Sequence, residues 1–391
     1  MSDFRQEMSA FNVAKRTGFL IQESDLGQVP REFVAFEQMA LELPTLIERR
    51  EIERRVKELQ EPSATPMSHA AAQRVKVVLG TLIQGYVWEP VVAGRGQPRT
   101  LVPRQLARPL VEVARLLDEP PIFSYADLVL RDWTLRDSAS GTSWRNISKR
   151  YLFTGEQEEV GFTALHVEYE AATGLAIVHG LTAIRAAEAG DLPTLEQALI
   201  ALGASMGQMG TQFGQLHDAI SVGFFRDRLR VFLQGWRNIV PMVYEGTNVA
   251  AHELRGETGA QSSAIPFIDA TLGVLRAQSG PRDPDLRSSA VAEYHDFRAY
   301  RPRLHRALVA HVERVGRVRE VVVEVANGSL SNAYNACLMA VRDARVAHLR
   351  AVGAYLAQAG VAVPETIGTG GTSYAIYLRA LIDATGSSVV V

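Results

Sequence analysis

The chain has 391 residues, 47 % of them hydrophobic, enough apolar material for one large core or two moderate ones. Its 41 Lys and Arg nearly balance 43 Asp and Glu, for a formal charge of -2, and no basic stripe with interleaved aromatics occurs, so nucleic acid is not an expected partner. A single cysteine excludes an internal disulfide framework, a cysteine-rich zinc site and an iron–sulfur cluster; with no membrane span and no leader-like pattern in MSDFRQEMSAFNVAKRTGF, a cytoplasmic protein is expected.

Apolar residues recur at spacings of three and four in almost every long segment, which predicts an all-α fold. Residues 31–60 read as a helix pair broken at Pro44, and residues 69–88 as an apolar helix ending at Trp88. A connector rich in Gly, Pro and Arg follows, EPVVAGRGQPRTLVPRQLARP, and a second loose stretch, RDSASGTSWRNISKR, spans Arg136 to Arg150. Beyond it the helices lengthen, which predicts a small N-terminal helical domain over 1–150 and a larger one over 151–391. In VGFTALHVEYE, His166 shares a helical face with Phe162, Leu165 and Tyr169. In LHDAISVGFFRDRLRVFLQGW, Arg226 and Arg230 lie four residues apart among Phe224, Phe225 and Phe232, so each must snorkel to water or meet an anion. In RPRLHRALVAHVERV, His305 shares a stripe with Leu308, Val309 and Val312; taken alone, it and His166 read as satisfied core histidines more readily than as ligands. VREVVVEV, Val318 to Val325, is the one strand-like run, though its flanks also suit a continuing helix. Cys337 sits at helical spacing with Tyr334, Leu338 and Val341, as a small buried hydrophobe would.

Two loops, RGETGAQSS (Arg255 to Ser263) and IGTGGTS (Ile367 to Ser373), are built mostly from small residues. Neither supplies the lysine of a nucleotide P-loop or follows a predicted strand, which leaves flexible packing or a surface of amides and hydroxyls facing a ligand. None of the nine histidines stands in an HExxH pair and there is no CxxCH, so any metal would arrive inside a cofactor.

Taken in order, SHAAAQRVKVVLGTLIQGYVW, PPIFSYADLVLRDW, FLQGW, VYEG, GAQSSAIPFIDATLGV, RPRLHRALV, NAYNACLMAVRDARVAHLRAVGAYL and GTGGTS resemble the indoleamine 2,3-dioxygenase family. The resemblance covers most of the chain. It implies a two-domain all-helical fold with non-covalent haem b between a small capping domain and a large one. It also implies a monomer that uses L-tryptophan or a related indole, O2 and an electron donor, and releases N-formylkynurenine. By resemblance His305 is the proximal iron ligand, with Asp269 orienting it indirectly. Arg230 holds the substrate carboxylate, Phe225 packs on the indole, and Tyr125 and Phe162 wall the pocket. Thr258 and Gly259 form the small loop over the haem. Gly368 and Thr369 belong to a loop that closes on substrate, Thr369 reaching the carboxylate and a haem propionate.

Three positions depart from the mammalian pattern: His166 stands for Ser, Arg226 for Phe and Ser373 for Asp. His166 is expected to position the indole N–H. Arg226 is expected either at solvent or against an acidic substituent of the substrate. The rival functions are an enzyme of the same fold that oxidises or rearranges a tryptophan derivative without opening the ring, and a haem-based sensor.

Overall fold

A computed structural model describes residues 8–62, 66–237, 241–274, 292–357, 367–371 and 373–390. Twelve helices carry the described architecture: α1 (Val34–Leu41), α2 (Leu43–Arg49), α3 (Ile52–Glu58), α4 (His69–Val92), α5 (Arg104–Leu117), α6 (Gln157–Ala189), α7 (Leu192–Gln212), α8 (Ala264–Leu272), α9 (Arg303–Val315), α10 (Val318–Val325), α11 (Gly328–Ala357) and α12 (Tyr374–Gly386). Among the described residues extended structure is limited to two-residue pairs, Leu101–Val102 parallel to Val243–Tyr244 and Thr134–Leu135 antiparallel to Ile147–Ser148, and isolated bridges at Ala14–Gly18 and Ile367–Ser373.

Local chemistry explains the helix limits. Ser68 caps α4, its hydroxyl accepting from the Ala71 amide at 3.1 Å, and α4 is buried on almost every side, including polar residues such as Lys76, Gln84 and Glu89. It runs past Trp88 to Val92 because Pro90 lies in the last turn. The break expected at Pro44 falls at Glu42, with Pro44 in the first turn of α2 where no amide donor is needed, and a further break at Arg50 makes three helices rather than a pair. The expected connector contributes the first half of α5. VREVVVEV is helix α10. Gly190, in the left-handed region, ends α6, and Asp191 starts α7 by accepting from the Thr194 amide.

One apolar cluster joins α1–α5 to Leu229, Phe232, Trp236 and Tyr244, so it runs across residue 150. A second joins α6, α7, α8, α9 and α11 and takes in Phe19 from the N-terminal segment. Cys337 lies in this second core, its thiol pushed up to about 12 by burial, which makes it inert. Buried within the N-terminal half, Lys76 and Arg131 share Asp127 and Glu119, with Lys76 Nζ 2.5 Å from Asp127 Oδ2 and Arg131 Nη1 2.9 Å from Asp127 Oδ1. Each charge answers another, which is what allows four ionised groups inside. Among the described residues no helix is long and apolar enough to cross a membrane.

Candidate active site

A cleft enclosing about 1910 Å³ of empty space, counting the part that opens to solvent, lies where the apolar clusters meet. Its lining is mostly aromatic and aliphatic, with a few convergent polar side chains, as in a small-molecule or cofactor site.

The α6 face read from sequence is one wall: Phe162, Leu165, His166 and Tyr169 all line the cleft. His166 Nδ1 lies 2.8 Å from the Phe162 carbonyl oxygen. A carbonyl only accepts, so Nδ1 carries the proton and Nε2 is left as an acceptor; burial lowers the pKa and keeps the ring neutral. Tyr125 meets His166 edge-on at 6.2 Å and donates its hydroxyl to Glu170 Oε1 at 2.9 Å. It immediately precedes a π-type turn over Ala126–Leu130, a local widening of the helical ladder common beside functional sites. A second such turn, Phe225–Leu229, leads to Arg230. Phe225 packs on Phe162 with ring centres 5.3 Å apart. Arg230 lines the cleft, donates to the Ile367 carbonyl at 2.6 Å and has no carboxylate partner among the described residues. Arg226 does not reach the cleft: it is exposed and ion-paired with Asp227 at 2.5 Å, so of its two expected placements the solvent one holds and the substrate contact is withdrawn.

Thr258, Gly259, Gly368 and Thr369 also line the cleft. The 367–371 loop is docked, with Thr369 donating its hydroxyl to the Glu257 carbonyl and Arg255 Nη1 donating to the Gly370 carbonyl at 3.1 Å. A Cβ at Gly370 would stand 2.9 Å from Thr258 Cγ2 and 3.2 Å from the Phe297 ring, and Gly371 has φ +80°, so both positions require glycine. Ile367 and Ser373 pair across the loop base; Thr372 falls outside the described residues.

His305 is not brought to the cleft, which corrects the expected iron ligand. The first turn of α9 directs it into the second core, 4.9 Å from the Phe19 ring, where burial first and Arg131 second lower its pKa to about 3. Its stripe with Leu308, Val309 and Val312 is core, as the bare periodicity suggests. A second histidine on the cleft wall, beside His166, is His348 of α11, stacked on Phe213 at 4.8 Å and lowered to about 4 by burial and by His166. Neither of its ring nitrogens has a hydrogen-bond partner among the described residues. One turn earlier, buried Arg345 donates to both oxygens of Asp269 at 2.6 and 2.7 Å, which ties α11 to α8. Burial pushes the Asp269 pKa up while Arg345 draws it back.

The family model described as "Indoleamine 2,3-dioxygenase" matches residues 7–388. The chain belongs to the indoleamine 2,3-dioxygenase family. Indoleamine 2,3-dioxygenase 2 of Mus musculus is 29 % identical over 97 % of this chain and 94 % of its own length, and indoleamine 2,3-dioxygenase 1 of Rattus norvegicus is 28 % identical over 99 % and 96 %. A 6-hydroxytryptophan 2,3-dioxygenase of Fusarium equiseti is 27 % identical over 91 % and 86 %. The protein is thus an oxidoreductase, a haem-dependent dioxygenase acting on tryptophan-like substrates. His348, Arg345 and Glu257 line the cleft and Glu170 receives the Tyr125 and Ser262 hydroxyls behind it; sequence reasoning singled out none of the four. His348 lies within NAYNACLMAVRDARVAHLRAVGAYL, and its helical register with Ala344, Val352 and Tyr355 was the available signal.

Proposed function

We propose that the protein inserts both atoms of O2 across the indole C2–C3 bond of L-tryptophan or a close derivative to give N-formylkynurenine, with non-covalent haem b held in the cleft by His348. The residues present fit such a group. The cleft is lined mostly by aromatic and aliphatic side chains, and His348 offers it a neutral imidazole with no competing hydrogen bond among the described residues. When bound, the haem supplies the activation of dioxygen.

The chain's own residues then orient and enclose. Arg230 takes the substrate carboxylate, a bidentate match for a guanidinium that has no other anion among the described residues, and Thr369 closes the loop above it. Tyr125, Phe162 and Phe225 hold the indole by its faces and edges. His166 Nε2 accepts the indole N–H, fixing which carbons face the oxygen without removing a proton. Thr258, Gly259 and Gly368 let the backbone approach the macrocycle closely, and Asp269, through Arg345, holds the helix that carries His348. In this reading residues 1–150 cover the distal side of the cofactor and residues 151–391 bind it. The enzyme works as a cytoplasmic monomer supplied by an electron donor that keeps the iron ferrous.

The observation that carries the reading is the convergence on one cleft of His348, His166 and Arg230, which has no carboxylate partner among the described residues. Its test is mass analysis of the product after reduced holoenzyme is mixed with isotope-labelled O2 and L-tryptophan. Two labelled atoms in a ring-opened product are expected. An intact ring, or fewer than two labelled atoms before any exchange with water, would favour the rival that only oxidises the indole.

A further inference from the structure

Glu170 has no part in the reading above, yet three elements around the cleft meet on its side chain. It lies on α6 one turn after His166, is fully buried and has no cation partner among the described residues. Its Oε1 accepts the Tyr125 hydroxyl at 2.9 Å and the Ser262 hydroxyl at 2.5 Å, while Oε2 is sealed off without a partner. A carboxyl in such a place is costly, and an apolar side chain of similar volume would not be. What the carboxyl adds is a hold on two hydroxyls, each from a residue that lines another part of the cleft wall.

Neither end of this clamp is free to drift. The Glu170 carbonyl accepts the Thr173 hydroxyl at 2.6 Å, and the N-terminal segment closes on the same carbonyl at Gly18, where a Cβ would stand 2.3 Å from its oxygen. On the far side the Tyr125 amide donates to Gln261 Oε1 at 2.9 Å, and Gln261 Nε2 donates to the Gly256 carbonyl at 2.8 Å. Ser262 Oγ also accepts from the Ala264 amide at 3.1 Å, at the start of α8. Burial first, and Glu170 second, raise the Tyr125 pKa well above its ordinary value, so its hydroxyl keeps the proton that it donates. Held in this way, the Tyr125 ring stands edge-on to His166, with ring centres 6.2 Å apart and planes at 74°, and His166 is fixed in turn by the Phe162 carbonyl.

We infer that Glu170 is a positioning residue: by taking the Tyr125 and Ser262 hydroxyls on one oxygen it holds the Tyr125 ring against His166 and so sets the width of the slot that admits the substrate's ring system. The inference rests on the indole-binding reading proposed above. Glu170 touches no substrate; it acts through Tyr125. With the hydroxyl tether gone, the Tyr125 ring keeps its place in the wall but can tilt, and the slot admits rings that the natural protein excludes.

The experiment measures dissociation constants by calorimetry on the anaerobic holoprotein for L-tryptophan and for the L-tryptophans methylated at each benzene-ring position. The natural protein binds at least one methylated isomer more weakly than L-tryptophan. For the isomer it excludes most, Tyr125→Phe and Glu170→Leu each shift the ratio of the two constants roughly fivefold in favour of the larger ring, the equivalent of one hydrogen bond. The double variant shifts it no further, because both changes release the same tether. Glu170→Gln keeps an acceptor for both hydroxyls and with it the natural ratio. The inference is overturned if the natural protein excludes none of the isomers, if Tyr125→Phe leaves the ratio unchanged, if the two changes add, or if Gln acts as Leu does. Should Glu170→Leu fail to fold, as judged by haem content and unfolding midpoint, Tyr125→Phe and Glu170→Gln decide between the same outcomes. Failure of every indole ligand to bind the natural protein would instead refute the indole-binding reading itself.

Discussion

A guanidinium whose described hydrogen bond goes to a backbone carbonyl, as at Arg230, keeps donors free for an anion, and partial burial makes that anion worth more than it would be in water. Arg230→Ala is expected to weaken L-tryptophan by roughly 2 kcal/mol or more while an indole without a carboxylate loses little. Equal losses in a titration of both ligands would make the residue structural. Glu170 makes a different prediction. Burial raises its pKa from 4.5 to about 7, against the opposing hydrogen bonds from Ser262 and Tyr125. The folded state therefore holds a proton that the unfolded chain has released between pH 4.5 and 7, so this group stabilises the fold at low pH and its contribution is lost as pH rises through that window, by about 1.4 kcal/mol per pH unit. Glu170→Gln keeps an acceptor for both hydroxyls and removes the titration. Denaturant unfolding at pH 5 and pH 8 should show the variant losing less stability than the natural protein on going to pH 8; identical losses would contradict the shift.

At the scale of elements, the two π-type turns and the docked loop shape the cleft. The loop glycines are there for close approach: Gly370 lies under Thr258 and Phe297, and a buried ring cannot yield a few tenths of an ångström freely. Gly370→Ala should lift the loop, weaken the Thr369 contact to Glu257 and lower tryptophan affinity by about 1 kcal/mol or more, with haem content unchanged. Unchanged affinity would show that the loop's docked position is irrelevant to binding. These elements were unevenly legible in the sequence. The α6 face with His166 was readable because Phe162, Leu165 and Tyr169 follow a helical period. The loops were recognisable as small and polar but not as docked. Pro44 misled because a proline inside an apolar run signals a break or a first turn equally well. Arg226 and Arg230 present the same local pattern, and only the widened turn between them decides which one faces the cleft.

For the whole molecule, an all-α fold followed from the spacing of apolar residues, but which histidines face the cleft did not. His305 and His348 both sit on apolar helical stripes. What separates them is long-range: α9 turns His305 into the core beside Phe19, whereas α11 is anchored by Arg345 to Asp269, 76 residues away in sequence, and so presents His348 to the cleft. No local pattern carries that information. The central claim, that haem occupies this cleft on His348, is tested most directly by haem content and the Soret spectrum of purified His348→Ala beside His305→Ala. The account predicts that His348→Ala loses stably bound haem and recovers a ligated spectrum with added imidazole, while His305→Ala keeps its haem and spectrum. Haem retained with an unchanged spectrum in His348→Ala, or lost only in His305→Ala, would contradict it.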